Sequence, residues 1–217
     1  MAGTTLISRT ADFAVGESDN AALWQDLPWL DLIEHGQRMT GLQTRTKLAW
    51  SATGIYVLIE SEDRFLTCKE RKDFDDIFND DVVEIFLRPD PGRPLYFEYE
   101  VSPLGVELVL LIPNNNGIFM GWRPWHYEKE RLDKKRVWVD GGKQEAGAAV
   151  KSWTAEIFIP FKLFKGLIDF PPRPGSCWRG NVCRMDFDAQ PCAKWSLTPQ
   201  ADNGFHSFKE FGILQFA

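Results

Sequence analysis

Along this chain apolar positions recur with a period of two far more often than with the 3.6 of a helix. Val83, Ile85 and Leu87 alternate against Glu84, and Phe97, Tyr99 and Val101 alternate against Glu98 and Glu100. Such a period places successive side chains on opposite faces of a strand. Strands are therefore predicted at Thr46–Ser51 and Ile55–Glu60, joined through Ala52-Thr53-Gly54, and at Val82–Leu87 and Tyr96–Ser102. Pro103-Leu104-Gly105 turns the chain into a strand over Val106–Ile112. Arg136–Val139, Trp153–Ile159, Gly180–Phe187 and Phe211–Phe216 complete the set. Helical signals are few: Asp19-Asn20 can cap a turn through Trp24, and Pro160 can open one through Lys165.

Roughly nine or more short strands with one or two short helices predict an all-β fold, a jelly-roll-like antiparallel β-sandwich with long loops. No Ser/Gly-rich linker and no internal repeat divides the 217 residues, so residues 1–217 are read as one domain. Long loops fall at Asp63–Asp80, Asn114–Trp125 and Asp188–Phe208, where binding residues tend to gather.

Composition narrows the partners. With 25 Lys and Arg against 31 Asp and Glu the net charge is −6, which repels phosphate backbones and argues against nucleic acid. The short basic run Arg131–Arg136 is flanked by Glu128, Glu130 and Asp133 and reads as a solvated segment. Apolar runs such as Val106–Pro113 are too short to span a bilayer. The N-terminus as written lacks a basic segment followed by an apolar one, so no secretory signal is read and the expected compartment is cytoplasmic. Cys68, Cys177, Cys183 and Cys192 form no C-x-x-C pair and read as free thiols. There is no G-x-S-x-G, no H-E-x-x-H and no phosphate-cradling glycine loop, and His35, His126 and His206 suggest no triad by spacing.

Three features carry chemistry. The first is the loop Gly121-Trp122-Arg123-Pro124-Trp125-His126-Tyr127, in a chain with nine tryptophans. Aromatic rings stack on the C–H faces of sugars while arginine donates in-plane hydrogen bonds to hydroxyls; the alternative is that Trp122 and Trp125 cover a core edge. The second is a row of strand glutamates, Glu84, Glu98, Glu100, Glu107 and Glu156. It reads as a salt-bridged outer face, as a polar binding face, or as the acid/base pair of a glycoside hydrolase, with Arg88, Arg179 and Arg184 as available partners. The third is the acidic stretch Asp63, Asp73, Asp75, Asp76, Asn79, Asp80 and Asp81, which either caps turns or supplies oxygen ligands to calcium through Asp63, Asp80 and Asp81.

Several segments, in order, resemble a known family. They are Asp19-Asn20…Trp24, Leu48-Ala49-Trp50-Ser51…Gly54-Ile55-Tyr56-Val57, Asn79-Asp80-Asp81-Val82-Val83-Glu84-Ile85-Phe86-Leu87, Tyr96-Phe97-Glu98-Tyr99-Glu100-Val101-Ser102-Pro103, Trp153-Thr154-Ala155-Glu156-Ile157-Phe158-Ile159-Pro160-Phe161 and Phe211-Gly212. Together they resemble the carbohydrate-binding module family 9-like domains, and among these a branch of stand-alone family 9-like proteins. The resemblance implies a β-sandwich that holds mono- or oligosaccharides, xylan- or cellulose-related in some members, between two aromatic rings. It also implies a structural calcium in some members and frequent secretion. Glu84 matches the family's Val-Glu-Ile strand. Where family modules can place a tryptophan before that strand this chain has Phe74 and Phe78. The same superfamily is similar to cytochrome domains holding a b-type haem, for which Met39, Met120 or Met185 with His126 or His206 are the available ligands.

The expectation from sequence is thus a non-catalytic carbohydrate-binding protein with no catalytic residues. Its ligand site draws on Trp122, Arg123, Trp125, Glu84, Glu98, Arg184, Trp195 and His206. The alternatives are a glycoside-processing enzyme using paired strand glutamates such as Glu84 and Glu98, and a sandwich interaction domain without sugar binding.

Overall fold

The fold is described from a computed structural model, over residues 3–17, 20–69, 71–115, 118–125, 134–164, 171–201 and 204–217. Asp19, Gly117, His126, Tyr127, Glu128, Glu130, Arg131, Asp133 and Lys165 lie outside the described residues. Fifteen strands dominate: β1 (Thr4–Arg9), β2 (Leu30–Asp31), β3 (Ile33–His35), β4 (Thr44–Trp50), β5 (Gly54–Glu62), β6 (Val82–Arg88), β7 (Leu95–Val101), β8 (Glu107–Asn115), β9 (Ile118–Phe119), β10 (Arg123–Pro124), β11 (Lys134–Asp140), β12 (Ser152–Pro160), β13 (Cys177–Asp186), β14 (Ala193–Ser196) and β15 (Gly212–Phe216). Among the described residues one α-helical turn and a half, α1, spans Asn20–Gln25, and Phe161–Phe164 forms a 3₁₀ turn where the sequence predicted a helix start.

Two layers share β1. One runs β10-β8-β7-β6-β13-β15-β1, and the other β1-β4-β5-β12-β11. Thr4–Ile7 pair with β15 and Ser8–Arg9 pair with β4, so one strand crosses from sheet to sheet. Both β1 pairings are parallel, and β1 lies outside the strands predicted from the sequence. Periodicity cannot report strand direction, because alternation looks the same either way. β13 is long enough to be shared on its outer edge, Cys177–Gly180 with β15 and Cys183–Asp186 with β14.

Between the layers the inward residues of both sheets form one core: Val83, Ile85, Leu87, Phe97, Tyr99 and Val101 face Val57, Ile59, Ala155 and Ile157. Trp50, Trp153, Trp178 and Trp195 fill it. Gly54 shows how close the packing is. A Cβ there would fall 2.5 Å from the Ile159 carbonyl oxygen and closer still to the Phe158 ring.

The first sheet's outer face is also covered. Val82, Phe86, Tyr96, Leu108, Leu110, Ile112 and Cys183 pack under Ile77 and under Phe205, Phe208 and Phe211 of the loop entering β15. This second core explains why β6 and β7 are buried on both faces. On the far side, α1 lays Trp24 over Ala49, Tyr56 and Leu58. All four cysteines are free, and no helix among the described residues is long and apolar enough to cross a membrane.

Candidate functional site

The covering of the first sheet is incomplete, and the gap is a pocket of about 310 Å³. Its deep wall is the outward face of β6 and β7. Glu84 stands directly opposite Glu100 in the register, and Phe86 opposite Glu98, so all three glutamates project from one face. Lys194 of β14 and Met185 of β13 line the same space. The rim is aromatic: Phe78 from the 3₁₀ turn Ile77–Asn79, Phe119 from β9, Trp122 from the following loop, and Phe205 and His206 from the loop before β15. Trp122 meets Phe78 edge-on at 5.5 Å between ring centroids and tilts against Phe119 at 6.3 Å. Phe119 lies 4.6 Å from the His206 ring, whose Nδ1 is 2.8 Å from the Tyr96 hydroxyl. Trp122 remains 44% exposed, an uncovered indole at the mouth.

The three glutamates are not a solvated face. Their exposures are 3% for Glu84, 3% for Glu98 and 1% for Glu100. Burial pushes the Glu84 carboxyl up to about 8, against which the Lys194 ammonium acts. Burial raises Glu98 and Glu100 well above the ordinary carboxylate range, and neighbouring Glu84 adds to both. Glu98 and Glu100 stand two positions apart on the same face of β7, and each acts on the other's carboxyl. Oε2 of each is buried without a hydrogen-bond partner. Unpaired buried acceptors of this kind are rare and costly. The same surroundings push the Cys183 thiol and the Tyr96 hydroxyl up.

Of the residues expected at a ligand site, Glu84, Glu98, Trp122 and His206 come together here. Four do not. Arg123 is exposed on β10, outside the pocket lining. Trp125 turns inward and its indole N–H donates to the Leu163 carbonyl at 3.1 Å. Trp195 is buried in the sandwich core, donating to the Leu42 carbonyl, with the Arg184 guanidinium 4.6 Å from its ring centre. Arg184 is wholly buried. It follows Val182 by two positions on β13 and so shares its inward face, where an unpaired charge would be prohibitive. Glu100, Phe119 and Lys194 lie at the pocket but were not among the expected ligand residues. Glu100 was legible from its alternation with Glu98. Phe119 and Lys194 gave no comparable signal.

Arg184 instead neutralises an acidic cluster. It forms an ion pair with Asp63 at 3.2 Å and donates to Asp186 at 3.1 Å, the Thr44 hydroxyl at 3.0 Å and the Glu62 carbonyl at 2.6 Å. Asp63, Asp186 and Asp188 each bring one oxygen within 4.8 Å of the others. Asp81 sits beside them, accepting from the amides of Thr67 and Phe187. Burial raises Asp63 to about 6 and Asp81 to about 8. Asp80, expected with them, points elsewhere and pairs with Arg71 at 2.6 Å. Calcium takes six to eight oxygens. Asp63, Asp186 and Asp188 have the spacing to hold a cation, but the Arg184 guanidinium already pairs with two of them and supplies the counter-charge. Of the residues available as haem ligands, Met39 and Met120 are exposed, the His206 Nδ1 is 2.8 Å from the Tyr96 hydroxyl, and His126 lies outside the described residues.

The chain is thus a two-sheet β-sandwich with an aromatic-rimmed, polar-walled pocket on one outer face. Comparison with known proteins narrows this. Residues 16–109 match the model of the family described as carbohydrate family 9 binding domain-like. A candidate carbohydrate-binding protein from Bacteroides uniformis superposes with a TM-score of 0.76 at 16% identity, covering 100% of both chains. A family 9 carbohydrate-binding module from Caldicellulosiruptor kristjanssonii in complex with cellotriose gives 0.66 at 16% identity over 98% of this chain and 93% of that one. The module in complex with glucose gives 0.66 at 17% identity over 99% and 95%. At these identities the likeness establishes the fold. No curated protein matches the sequence.

Proposed function

We propose that this protein is a non-catalytic carbohydrate-binding protein, and that its ligand end enters the pocket between Trp122, Phe78 and Phe119. The observation that carries the reading is one concave space with an uncovered indole at its mouth and buried, unpartnered carboxyl oxygens on its wall. Ring faces suit the apolar faces of a pyranose, and Glu84, Glu98 and Glu100 offer acceptors to its hydroxyls. Lys194 offers the donor. A volume of about 310 Å³ suits one sugar unit with the rest of a chain outside. The family 9 modules solved with cellotriose and glucose support the ligand class.

Affinity for a single unit is expected to be modest, because each hydroxyl returns little after desolvation. Calorimetric titration with glucose, xylose, cellobiose and cellotriose tests the reading. Saturable binding that weakens in Trp122→Ala supports it, and a flat response to every sugar contradicts it. Turnover of an aryl glycoside that disappears in Glu84→Gln would replace it with the glycoside-processing reading.

A further inference from the structure

Resting on the carbohydrate reading of this pocket, we propose that its preferred ligand is an amino sugar with a free, protonated amine, the ammonium seated against Glu98 and Glu100. The donor count leads there. Glu98 Oε2 and Glu100 Oε2 are buried acceptors without partners, two positions apart on the same face of β7. A sugar hydroxyl carries one hydrogen and so answers one such acceptor while bringing lone pairs of its own. An ammonium carries three N–H donors on one atom and no acceptor. It can meet both oxygens together.

The charges around these two carboxyls point the same way. The lining cation, Lys194, bears on Glu84. The charges that bear on Glu98 and Glu100 are negative: Glu84 on both, and Asp76 on Glu100. His206 on the rim, Cys183 on the adjoining strand, Cys192 and Tyr96 are the further titratable groups near the wall among the described residues. Phe78, Phe119 and Trp122 at the mouth present ring faces that attract a cation electrostatically. A net charge of −6 favours its approach.

Binding is then linked to protons. Burial holds protons on the Glu98 and Glu100 carboxyls well above the ordinary range, and an ammonium beside them favours the carboxylate form, so a proton leaves to solvent as the ligand enters. The ligand's own amine stays protonated, so charge is conserved. Acetylating the amine removes its charge and two of its three donors.

The test is calorimetry on the full chain at about pH 7 with glucosamine, glucose and N-acetylglucosamine, each in two buffers of different ionisation enthalpy. Glucosamine is expected to bind at least about tenfold tighter than glucose, with net proton release, and N-acetylglucosamine to lose the gain. Glu98→Gln and Glu100→Gln, each checked for folding by circular dichroism, should shrink the ratio of glucosamine to glucose affinity. Saturable glucose binding with equal or weaker glucosamine binding overturns the amine assignment and leaves the carbohydrate reading standing. No binding of any sugar overturns both. Tight glucosamine binding without proton release, and unchanged in both variants, overturns the assignment to Glu98 and Glu100.

Discussion

Replacing Arg184 with methionine, which keeps the length of the side chain and removes its charge, should be among the most damaging single substitutions in this fold. The guanidinium is wholly buried and makes four polar contacts of 2.6 to 3.2 Å, two of them to carboxylates. Its removal leaves Asp63 and Asp186 facing each other in the core, and breaking a buried pair in this way costs about 3–5 kcal/mol. That is a large share of a domain stability of about 5–15 kcal/mol. Part of the loss depends on pH. Asp63 sits at about 6 in the native state against 3.8 when unfolded, and Arg184 is what holds it from rising further. An acid raised on folding binds more protons in the native state, so its contribution falls as pH rises from the unfolded value through the folded one. In the variant that fall continues to higher pH, and the penalty should therefore be larger at about pH 8 than at about pH 5. Urea denaturation of both proteins at the two pH values measures it. A penalty under about 1 kcal/mol, or one equal at both pH values, would refute the assignment of Arg184 as the cluster's internal counter-ion.

Trp122→Ala should cost sugar affinity about fivefold or more, ~1 kcal/mol, with little change in the denaturation midpoint, because the indole is half exposed; paired calorimetry and urea titrations check both halves. Trp125→Ala should do the reverse, lowering stability through the lost Leu163 hydrogen bond and core contact while leaving sugar binding near wild type. Glu98→Gln should stabilise the protein at about pH 9 and change little at about pH 5, since it removes a carboxyl whose proton is held on folding well above the ordinary range; denaturation at the two pH values reads the sign. Gly54→Ala should destabilise by about 1–3 kcal/mol, because the added methyl meets the Ile159 carbonyl and the Phe158 ring; a thermal melt is sufficient.

Much of the architecture was legible. Alternation alone set Glu84, Glu98 and Glu100 on one face and Val83, Ile85 and Tyr99 on the other, and the two sheets bear this out. What covers the outward face was not legible, because Phe205, Phe208 and Phe211 reach it from more than a hundred positions away in the chain. The short strands β2, β3, β9 and β10 were missed for a related reason. Each has two or three residues held by its partner's register, too few for a period to register. Trp122 and Trp125 illustrate the limit for the site. Both belong to one aromatic loop, yet one indole lines the pocket and the other bonds to Leu163, a distinction made by tertiary contacts. Arg184 was more readable than its assignment as a ligand residue allowed, since the inward Val182 two positions earlier fixes its face.

The most direct test of the central claim is a nitrogen-15 NMR titration of the assigned protein with glucose and cellotriose. The account predicts saturable shifts at the Trp122 indole N–H and the Trp122, Phe119 and Lys194 amides, with the Trp138 indole on the opposite sheet unmoved. Shifts confined to the Trp138 surface, or none at any residue lining the pocket, would contradict it.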